Sequence, residues 1–529
     1  MMKVLITEYL SDKGIEILKN EDDISVDIET KLSYEELIKR IADYDALIVR
    51  SGTKVTADVI KAGKKLKVIG RAGVGVDNVD VNTATRQGVI VVNTPNANTI
   101  SAAEHTLTLI LALSRNIAPA SASMKSGEWE RQRFMGVEVY GKTLGIIGLG
   151  RIGTEVAKRA QAFGMKIIAS DPYIAPETAN KLNVELVDNQ ELFRRSDYIT
   201  VHLPLNQETC DLLNDEAFNM MKNGVRIINC ARGGICDEKA LYNAIVSGKV
   251  AGAALDVFEH EPPTGSPLIS LDSVLATPHL GASTKEALVN VSVEIAHQVI
   301  DALKGRPVHN AVNMITLDLG EAEKLRPYMH LAEKIGNIHG QLVEGHVIEI
   351  NIDYNGEIAT SPTEIISIAI QKGLLQSFLG DVVNYVNSAL MCRERGIKVS
   401  ETKSIEIEDF VNLITVTVRT DKVKKRIAGT IFGTREPRIV EIDGYHLDVM
   451  PSGHLLFLKT RHDRPGVMGA LGNILGEHNI NIAGMSLGRE KPYSEAMAVL
   501  TLDNPVPKDV IERIRSLDPI SEAKLVRLD

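Results

Sequence analysis

Short aliphatic runs recur through the first hundred residues, each too short for a helix and each followed by an amphipathic stretch. Val4-Leu5-Ile6, Ala46-Leu47-Ile48-Val49, Lys67-Val68-Ile69 and Val89-Ile90-Val91-Val92 read as strands buried on both faces. Between them, Ser33 and Glu36 have the spacing of a capping box that opens a helix through Ile41, and another helix starts at Thr56. Strands alternating with helices predict a parallel α/β sheet.

A second series follows Gly141. Leu144 to Ile147, Lys166 to Ala169, Tyr198 to Val201, Val225 to Ile228, Val250 to Ala254 and Val274 to Ala276 read as strands, with a helix from Arg151 to Phe163. A helix that Ser101 and Glu104 cap is expected to join the two units. A long helical pattern, Thr284 to Leu303, stops at Gly305 and Pro307 and could return the chain to the first unit.

Past Pro307 the pattern changes. Glu321 to Gly340 reads as a helix, and Glu349 to Tyr354 and Leu413 to Arg419 read as strands. From His454 the order is a strand (Leu455 to Lys459), a helix (Pro465 to His478), two strands (Ile480 to Ser486, Ala496 to Leu502), a helix (Lys508 to Ser516) and a strand (Ala523 to Leu528). That is the ferredoxin-like β-α-β-β-α-β order.

Length changes the picture only by allowing all of this: 529 residues suggest about three to four domains at roughly 150 residues each. The net charge of −10 removes the basic face that duplex binding needs, so no nucleic-acid partner is expected, and no membrane partner for the same reason. Leu107 to Leu113 is the longest apolar helix-like run, far short of the ~20 residues a bilayer requires. Cys210, Cys230, Cys236 and Cys392 form no disulfide framework and no metal-binding pair, which fits a reducing cytoplasm. Met1 to Tyr9 lacks the features of a signal or transit peptide. A cytoplasmic protein without a metal site is expected.

The chemistry concentrates in the second series. Gly148, Gly150 and Gly153 form a GxGxxG motif that follows a strand and opens a helix, the setting a dinucleotide fingerprint requires. The next strand ends at Asp171, whose carboxylate suits the ribose hydroxyls of the adenosine half and repels a 2′-phosphate, so NAD is expected over NADP. A second cluster, Gly70 to Gly75, also follows a strand, and Gly73 within it suits a loop whose backbone N–H groups meet a substrate carboxylate; a plain turn is the alternative. Arg232, Glu261 and His279 each follow a strand or strand-like segment of the second unit, where ligands of open parallel sheets bind. Each alone has an ordinary reading as an ion pair, a solvated acid or a loop histidine. Together they supply what oxidation of a hydroxyl beside a carboxylate needs: an imidazole base, a carboxylate that fixes its tautomer, and a guanidinium that grips the substrate carboxylate.

The segments Gly148–Gly153, Asn229–Gly234, Asp256–Pro262 and Thr277–Thr284 resemble the signatures of the D-isomer-specific 2-hydroxyacid dehydrogenases. The resemblance covers essentially the whole chain and is closest to long-form members that end in an ACT domain, a small amino-acid-sensing module. It implies a Rossmann-type cofactor domain inserted in a flavodoxin-like substrate domain, then an α+β intervening domain and a ferredoxin-like ACT domain. The implied bounds are 1–97 with 286–310 for substrate, 98–285 for NAD, 311–451 for the intervening domain and 452–529 for the ACT domain. It makes Arg232, Glu261 and His279 catalytic, and adds Arg151, Ile152, Cys230, Ala231 and Asp256 to the cofactor-lining set, which His279 and Arg232 share. It points Arg50 and Ser51 at the substrate and implies that Arg131 reaches a neighbouring subunit's active site; a solvated loop is the other reading of Arg131. Val74 stands where some relatives carry a threonine, so that cofactor contact is not carried over.

The implied activity is NAD-dependent oxidation of 3-phospho-D-glycerate to 3-phosphooxypyruvate, at the entry to serine synthesis, by a homo-oligomer, a tetramer. Serine is the implied effector, with Asp463 and Asn481 as its ligands; capping of the following helix is the plain reading of Asp463. The basic run Lys422 to Arg426 is a second candidate effector site beside its reading as a solvated face. A hydroxypyruvate or glyoxylate reductase on the same scaffold, and a non-enzymatic NAD-sensing corepressor, remain the alternatives.

Overall fold

A computed structural model describes residues 1–406 and 409–528. Residue 529, the last of the expected ACT unit, lies outside the described set. In the first unit the strands Ile24–Ile28, Met2–Ile6, Ala46–Val49, Val68–Arg71 and Ile90–Asn93 lie side by side in that order. All pair in parallel. The order 2-1-3-4-5 is the flavodoxin-like winding. Ala46–Val49 is buried at all four positions, as an aliphatic run covered on both faces must be. The helix Lys285–Leu303 packs Val291, Ile295 and Val299 against this sheet, although it lies some two hundred residues further along the chain. Thr284 caps it by accepting from Ala287 N at 3.1 Å.

The second sheet is seven-stranded and parallel among the described residues, running Val274–Ala276, Val250–Leu255, Val225–Asn229, Tyr198–Val201, Thr143–Ile147, Lys166–Ser170 and Glu185–Leu186. Counted from its own first strand this is 3-2-1-4-5-6 with one strand added, the Rossmann order. The joining helix is Thr99–Ser114. Its N-cap is Asn98 and not Ser101, which corrects the capping expectation. The Ser101 hydroxyl lies 2.7 Å from Thr284 Oγ1 instead, tying the starts of the two helices that connect the units.

After this core, a mixed sheet in the order Lys398–Ser404, Val347–Gly356, Asn412–Thr420, Lys424–Phe432, Glu436–Ile442, Tyr445–Val449 is covered by the helices Leu319–Leu342 and Glu364–Leu379. The terminal four-stranded sheet, Ile482–Arg489, Ala496–Leu502, Gly453–Thr460, Ile520–Leu528, is antiparallel and carries the helices Val467–Glu477 and Lys508–Arg515. The first of these begins later than the sequence suggests: Pro465 precedes its N-cap, Gly466, whose φ of 97° suits a residue without a Cβ. Lys524 Nζ reaches Leu342 O at 2.8 Å, fastening the terminal sheet to the long helix.

Candidate active site

The three glycines of the fingerprint each have a separate steric reason. Gly148 has a φ of 92°, and a Cβ there would lie 2.6 Å from His202 O. Gly150 is the N-cap of the helix Arg151–Ala162 and faces open space. A Cβ on Gly153 would run into Gly148 O, so the helix packs closely onto the turn. Tight turn, open approach and close packing are the three demands of a pyrophosphate cradle. The open face over Gly150, lined by the first-turn N–H groups of that helix, fits the pyrophosphate of NAD. Asp171, just past the strand Lys166–Ser170, accepts from Leu149 N at 2.8 Å and Tyr173 N at 2.9 Å. It braces the loop at the edge of the cradle. Arg151 is exposed at the mouth and Ile152 is half-buried beside it.

Across the sheet, Asn229 ends its strand and turns its amide back on the following loop, accepting from Ala231 N at 3.0 Å and donating to Arg232 O at 2.8 Å. This tight turn presents Arg232. A Cβ on Gly233 would strike Phe258 O, so the loops that carry Arg232 and Glu261 are in van der Waals contact. Burial pushes the Cys230 thiol up to about 12, which leaves it an inert lining group.

His279 and Glu261 meet. His279 Nδ1 lies 2.9 Å from Glu261 Oε2, while Phe258 N donates to Glu261 Oε1 at 3.3 Å. His279 has a φ of 54°. Its N–H donates to Asp256 O at 2.9 Å, which holds the left-handed turn in place. Asp256 is 1 % exposed. Its carboxylate accepts from Thr277 Oγ1 at 2.6 Å, Leu280 N at 2.7 Å and Gly281 N at 2.8 Å.

The first unit answers with a cluster that the sequence only partly suggests. Arg232 Nε lies 2.9 Å from Asp77 Oδ2, and Arg232 Nη1 donates to Ala231 O at 2.6 Å. The Arg71 guanidinium folds over Gly73, where a Cβ would collide with its Nη1. Burial first, then the neighbouring Arg232, pulls Arg71 down to about 10; Asp77 and Glu8 oppose the shift and Arg50 adds to it. Arg71 Nε is buried without a partner among the described residues. Glu8 gathers the loop of Arg50 and Ser51, accepting from Arg50 N at 2.8 Å, Gly52 N at 3.1 Å and Thr53 N at 2.8 Å. Arg71 thus feels two further guanidinium groups, Arg232 and Arg50, against the carboxylates of Asp77 and Glu8. Arg71, Asp77 and Glu8 were not among the sequence candidates. Arg71 lies inside the Gly70–Gly75 cluster, the one signal that pointed there.

The remaining candidates lie apart from this cleft. Arg131 is exposed and forms no hydrogen bond or ion pair among the described residues. It sits on a stretch whose Trp129 and Met135 are 74 % and 79 % exposed. Asp463 is paired with Arg489 and does not cap the helix that follows. Asn481 donates to Asp503 Oδ2 at 2.7 Å. In the basic run, Lys425 meets Asp443 at 3.2 Å and Arg426 meets Glu441 at 2.5 Å, so much of its charge is neutralised internally.

Comparison with known proteins agrees with this geometry. Residues 107–281 match the D-isomer specific 2-hydroxyacid dehydrogenase NAD binding domain, 324–443 the D-3-phosphoglycerate dehydrogenase intervening domain, and 454–519 the ACT domain. The chain is 48 % identical over 529 residues to the D-3-phosphoglycerate dehydrogenase of Methanocaldococcus jannaschii, covering 100 % of both chains. It is 43 % identical over 528 residues to that of Bacillus subtilis, again covering 100 % of both. Among solved structures, the TT0316 protein from Thermus thermophilus aligns with a TM-score of 0.55 at 35 % identity, covering 59 % of this chain and 100 % of that one. A D-lactate dehydrogenase from Aquifex aeolicus complexed with NAD and lactic acid aligns with a TM-score of 0.51 at 30 % identity, covering 57 % of this chain and 96 % of that one.

Proposed function

The chain belongs to the D-3-phosphoglycerate dehydrogenase family, and from that premise we propose how its own residues carry out the reaction and its control. It is an NAD-dependent oxidoreductase that converts 3-phospho-D-glycerate to 3-phosphooxypyruvate, with an ACT domain for regulation. The two-domain core is shared with lactate-oxidising relatives, whereas the intervening and ACT segments match this family over its full length. That full-length match argues against the reductase and corepressor alternatives.

The observation that carries the mechanism is the His279–Glu261 contact of 2.9 Å. With Nδ1–H donated to the Glu261 carboxylate, Nε2 keeps its lone pair and takes the C2 hydroxyl proton as the C–H bond breaks. Glu261 stabilises the imidazolium that results. Arg232 grips the substrate carboxylate and polarises the oxygen that becomes the carbonyl. Bound NAD supplies the acceptor for the hydride leaving C2. Arg50 and Arg71, with Ser51, take the phosphorylated end of the substrate, and the N–H groups of the loop around Gly73 meet its carboxylate beside Arg232. Gly148 to Gly153, Asp171, Cys230, Ala231 and Asp256 line the cofactor.

Control and assembly follow from the same premise. The exposed Trp129, Met135 and Tyr140 support burial of this stretch against a second copy, with Arg131 entering the neighbour's cleft in a homotetramer. Serine binds between paired ACT domains, its ammonium at Asp463 once Arg489 is displaced and its remaining polar groups at Asn481. The segments 1–97 with 286–310, 98–285, 311–451 and 452–529 act as the four domains. No described helix is long and apolar enough to cross a membrane, and the four free cysteines fit a reducing cytoplasm.

The test is NADH formation from 3-phosphoglycerate, with lactate and glycerate as controls, with and without serine, in the parent and in His279→Ala. Turnover should fall by ~10² or more in the variant while NAD binding persists. Near-normal turnover would remove His279 from the mechanism, and indifference to the phosphate would remove the arginine cradle.

A further inference from the structure

Asp256 is buried at the end of its strand, and among the described residues no lysine or arginine belongs to its hydrogen-bond shell. A carboxylate in that position is costly unless its oxygens are satisfied. His105 adds a further donor to the ones from the 277–281 turn. Its Nε2 lies 3.1 Å from Asp256 Oδ1 and 3.3 Å from Thr277 Oγ1. His105 belongs to the helix Thr99–Ser114, which joins the two units, and nothing in its local pattern singles it out.

The consequences reach the base. The turn from Thr277 to Gly281 hangs on Asp256 by four bonds: Thr277 Oγ1, Leu280 N and Gly281 N to the carboxylate, and His279 N to the main-chain oxygen. A Cβ on Gly281 would lie 3.2 Å from Asp256 Oδ2, so the turn is drawn in close. His279 holds its left-handed backbone only as long as this anchor stays put. Burial pushes the Asp256 carboxyl up, yet the bonds from His105, Thr277 and Leu280 outweigh burial and hold it below the ordinary carboxylate range.

We propose that His105 is a positioning residue for the reaction: from the inter-domain helix, its Nε2–H orients the Asp256 carboxylate and through it the turn that carries His279. The required feature is a donor at that point on the helix. Thr277 Oγ1 shares the same carboxylate oxygen, so the two donors act as a unit. Ser101, one turn earlier on the same helix, holds Thr284 in the segment after the turn, so the helix grips both ends of the 277–284 segment.

The inference rests on His279 being the base. Three variants, His105→Leu, His105→Gln and Thr277→Val, separate the two ideas by steady-state kinetics, calorimetric NAD binding and thermal melting. His105→Leu removes the donor and keeps an apolar side chain of helical propensity. It should lower kcat by about 10-fold or more, the scale of a misplaced reacting group, and leave KM for 3-phosphoglycerate within about two-fold. His105→Gln, which keeps an N–H donor, should recover most of the lost kcat. Combining His105→Leu with Thr277→Val should cost less than the product of the two single effects, because both act on one oxygen. A Leu variant with parental kcat overturns the proposal. So does a Gln variant as impaired as the Leu variant, or a kcat loss that tracks a fall in melting temperature across all three. Should His279→Ala prove active, the base assignment fails and the positioning role of His105 falls with it, whereas an inactive His279→Ala beside a His105→Leu of parental kcat overturns the positioning role alone.

Discussion

Arg232 of the second unit and Asp77 of the first share a hydrogen bond of 2.9 Å from Nε to Oδ2, a charge pair that spans the cleft between the two sheets. Arg232 Nη1 is already given to Ala231 O. The guanidinium is thus fixed on two sides, and its remaining edge is aimed. Asp77 is 63 % exposed at its side chain, so the pair adds little to stability. Its value is orientation. Asp77→Asn should therefore lower kcat by about 10- to 100-fold with little change in melting temperature. KM for 3-phosphoglycerate should not rise, because removing a negative charge beside an anionic substrate offsets the looser grip. A rise in KM with unchanged kcat would show that Asp77 serves binding only.

Arg71 presents the opposite balance. Burial and Arg232 pull its pKa down to about 10, and its Nε has no partner among the described residues. A buried cation in such surroundings destabilises the ligand-free protein unless an anion arrives. Arg71→Met should leave the melting temperature of the free protein equal or higher. It should raise KM for 3-phosphoglycerate by about 10-fold or more, the value of a charge-assisted contact. Inorganic phosphate should raise the melting temperature of the parent and do so less in the variant. An equal phosphate response in both proteins would take Arg71 out of the anion site.

These residues also mark where sequence reading stops. The parallel strands were legible because burial on both faces demands unbroken aliphatic runs such as Ala46–Val49. Edge strands were not: Lys398–Ser404 is largely solvent-facing and Ile24–Ile28 only partly buried, so their composition carries little signal. Lys424–Phe432 was hidden in a similar way, since its first three residues are basic and read as a charged run before Ile427 turns inward. Arg232, Glu261 and His279 stood out because each sits in a dense local motif. Arg71, Asp77 and His105 did not, because their meaning lies in partners brought together by folding: Arg232 is 155 residues from Asp77, and His105 is 151 from Asp256. The Ser101 cap failed for the same reason, its hydroxyl being used by Thr284 across the fold.

Asp171 carries a structural role in addition to the ribose contact proposed for it. It accepts from Leu149 N within the glycine loop and from Tyr173 N. Asp171→Ala should weaken NAD by loosening the loop as well as by losing the ribose contact. The loop effect falls on NAD and NADP alike, whereas the ribose effect relieves repulsion of the 2′-phosphate. The expected result is a higher KM for NAD and a ratio of kcat/KM for NAD over NADP reduced by about 10-fold or more, the scale of a charge-assisted hydrogen bond. An unchanged ratio with both KM values raised would mean that Asp171 works through the loop alone.

His339 gives the intervening domain a pH dependence of calculable sign. It lies on the helix Leu319–Leu342 with its side chain fully buried. One ring nitrogen, Nε2, sits 3.0 Å from Val416 O, and Nδ1 has no partner among the described residues. Burial lowers its pKa from 6.5 to about 4; the bond to Val416 and the charge of Asp443 oppose the shift, and Lys425 adds to it. The folded domain therefore keeps this ring neutral through a range in which the unfolded chain takes up a proton. Between pH 6.5 and about 4 the unfolded state binds more protons, so stability falls as the solution is acidified. The slope from this one group approaches about 1.4 kcal/mol per pH unit within that window. Above pH 6.5 both states are neutral at this position and it contributes no slope. His339→Gln retains a donor for Val416 O and cannot titrate. The variant should lose some stability at pH 7 yet show a flatter decline towards pH 4.5. The opening free energy along the strand Asn412–Thr420, read by hydrogen exchange at several pH values, measures this directly for the domain concerned. Parallel pH profiles for parent and variant would mean that His339 takes up its proton as readily in the folded domain as in the unfolded chain.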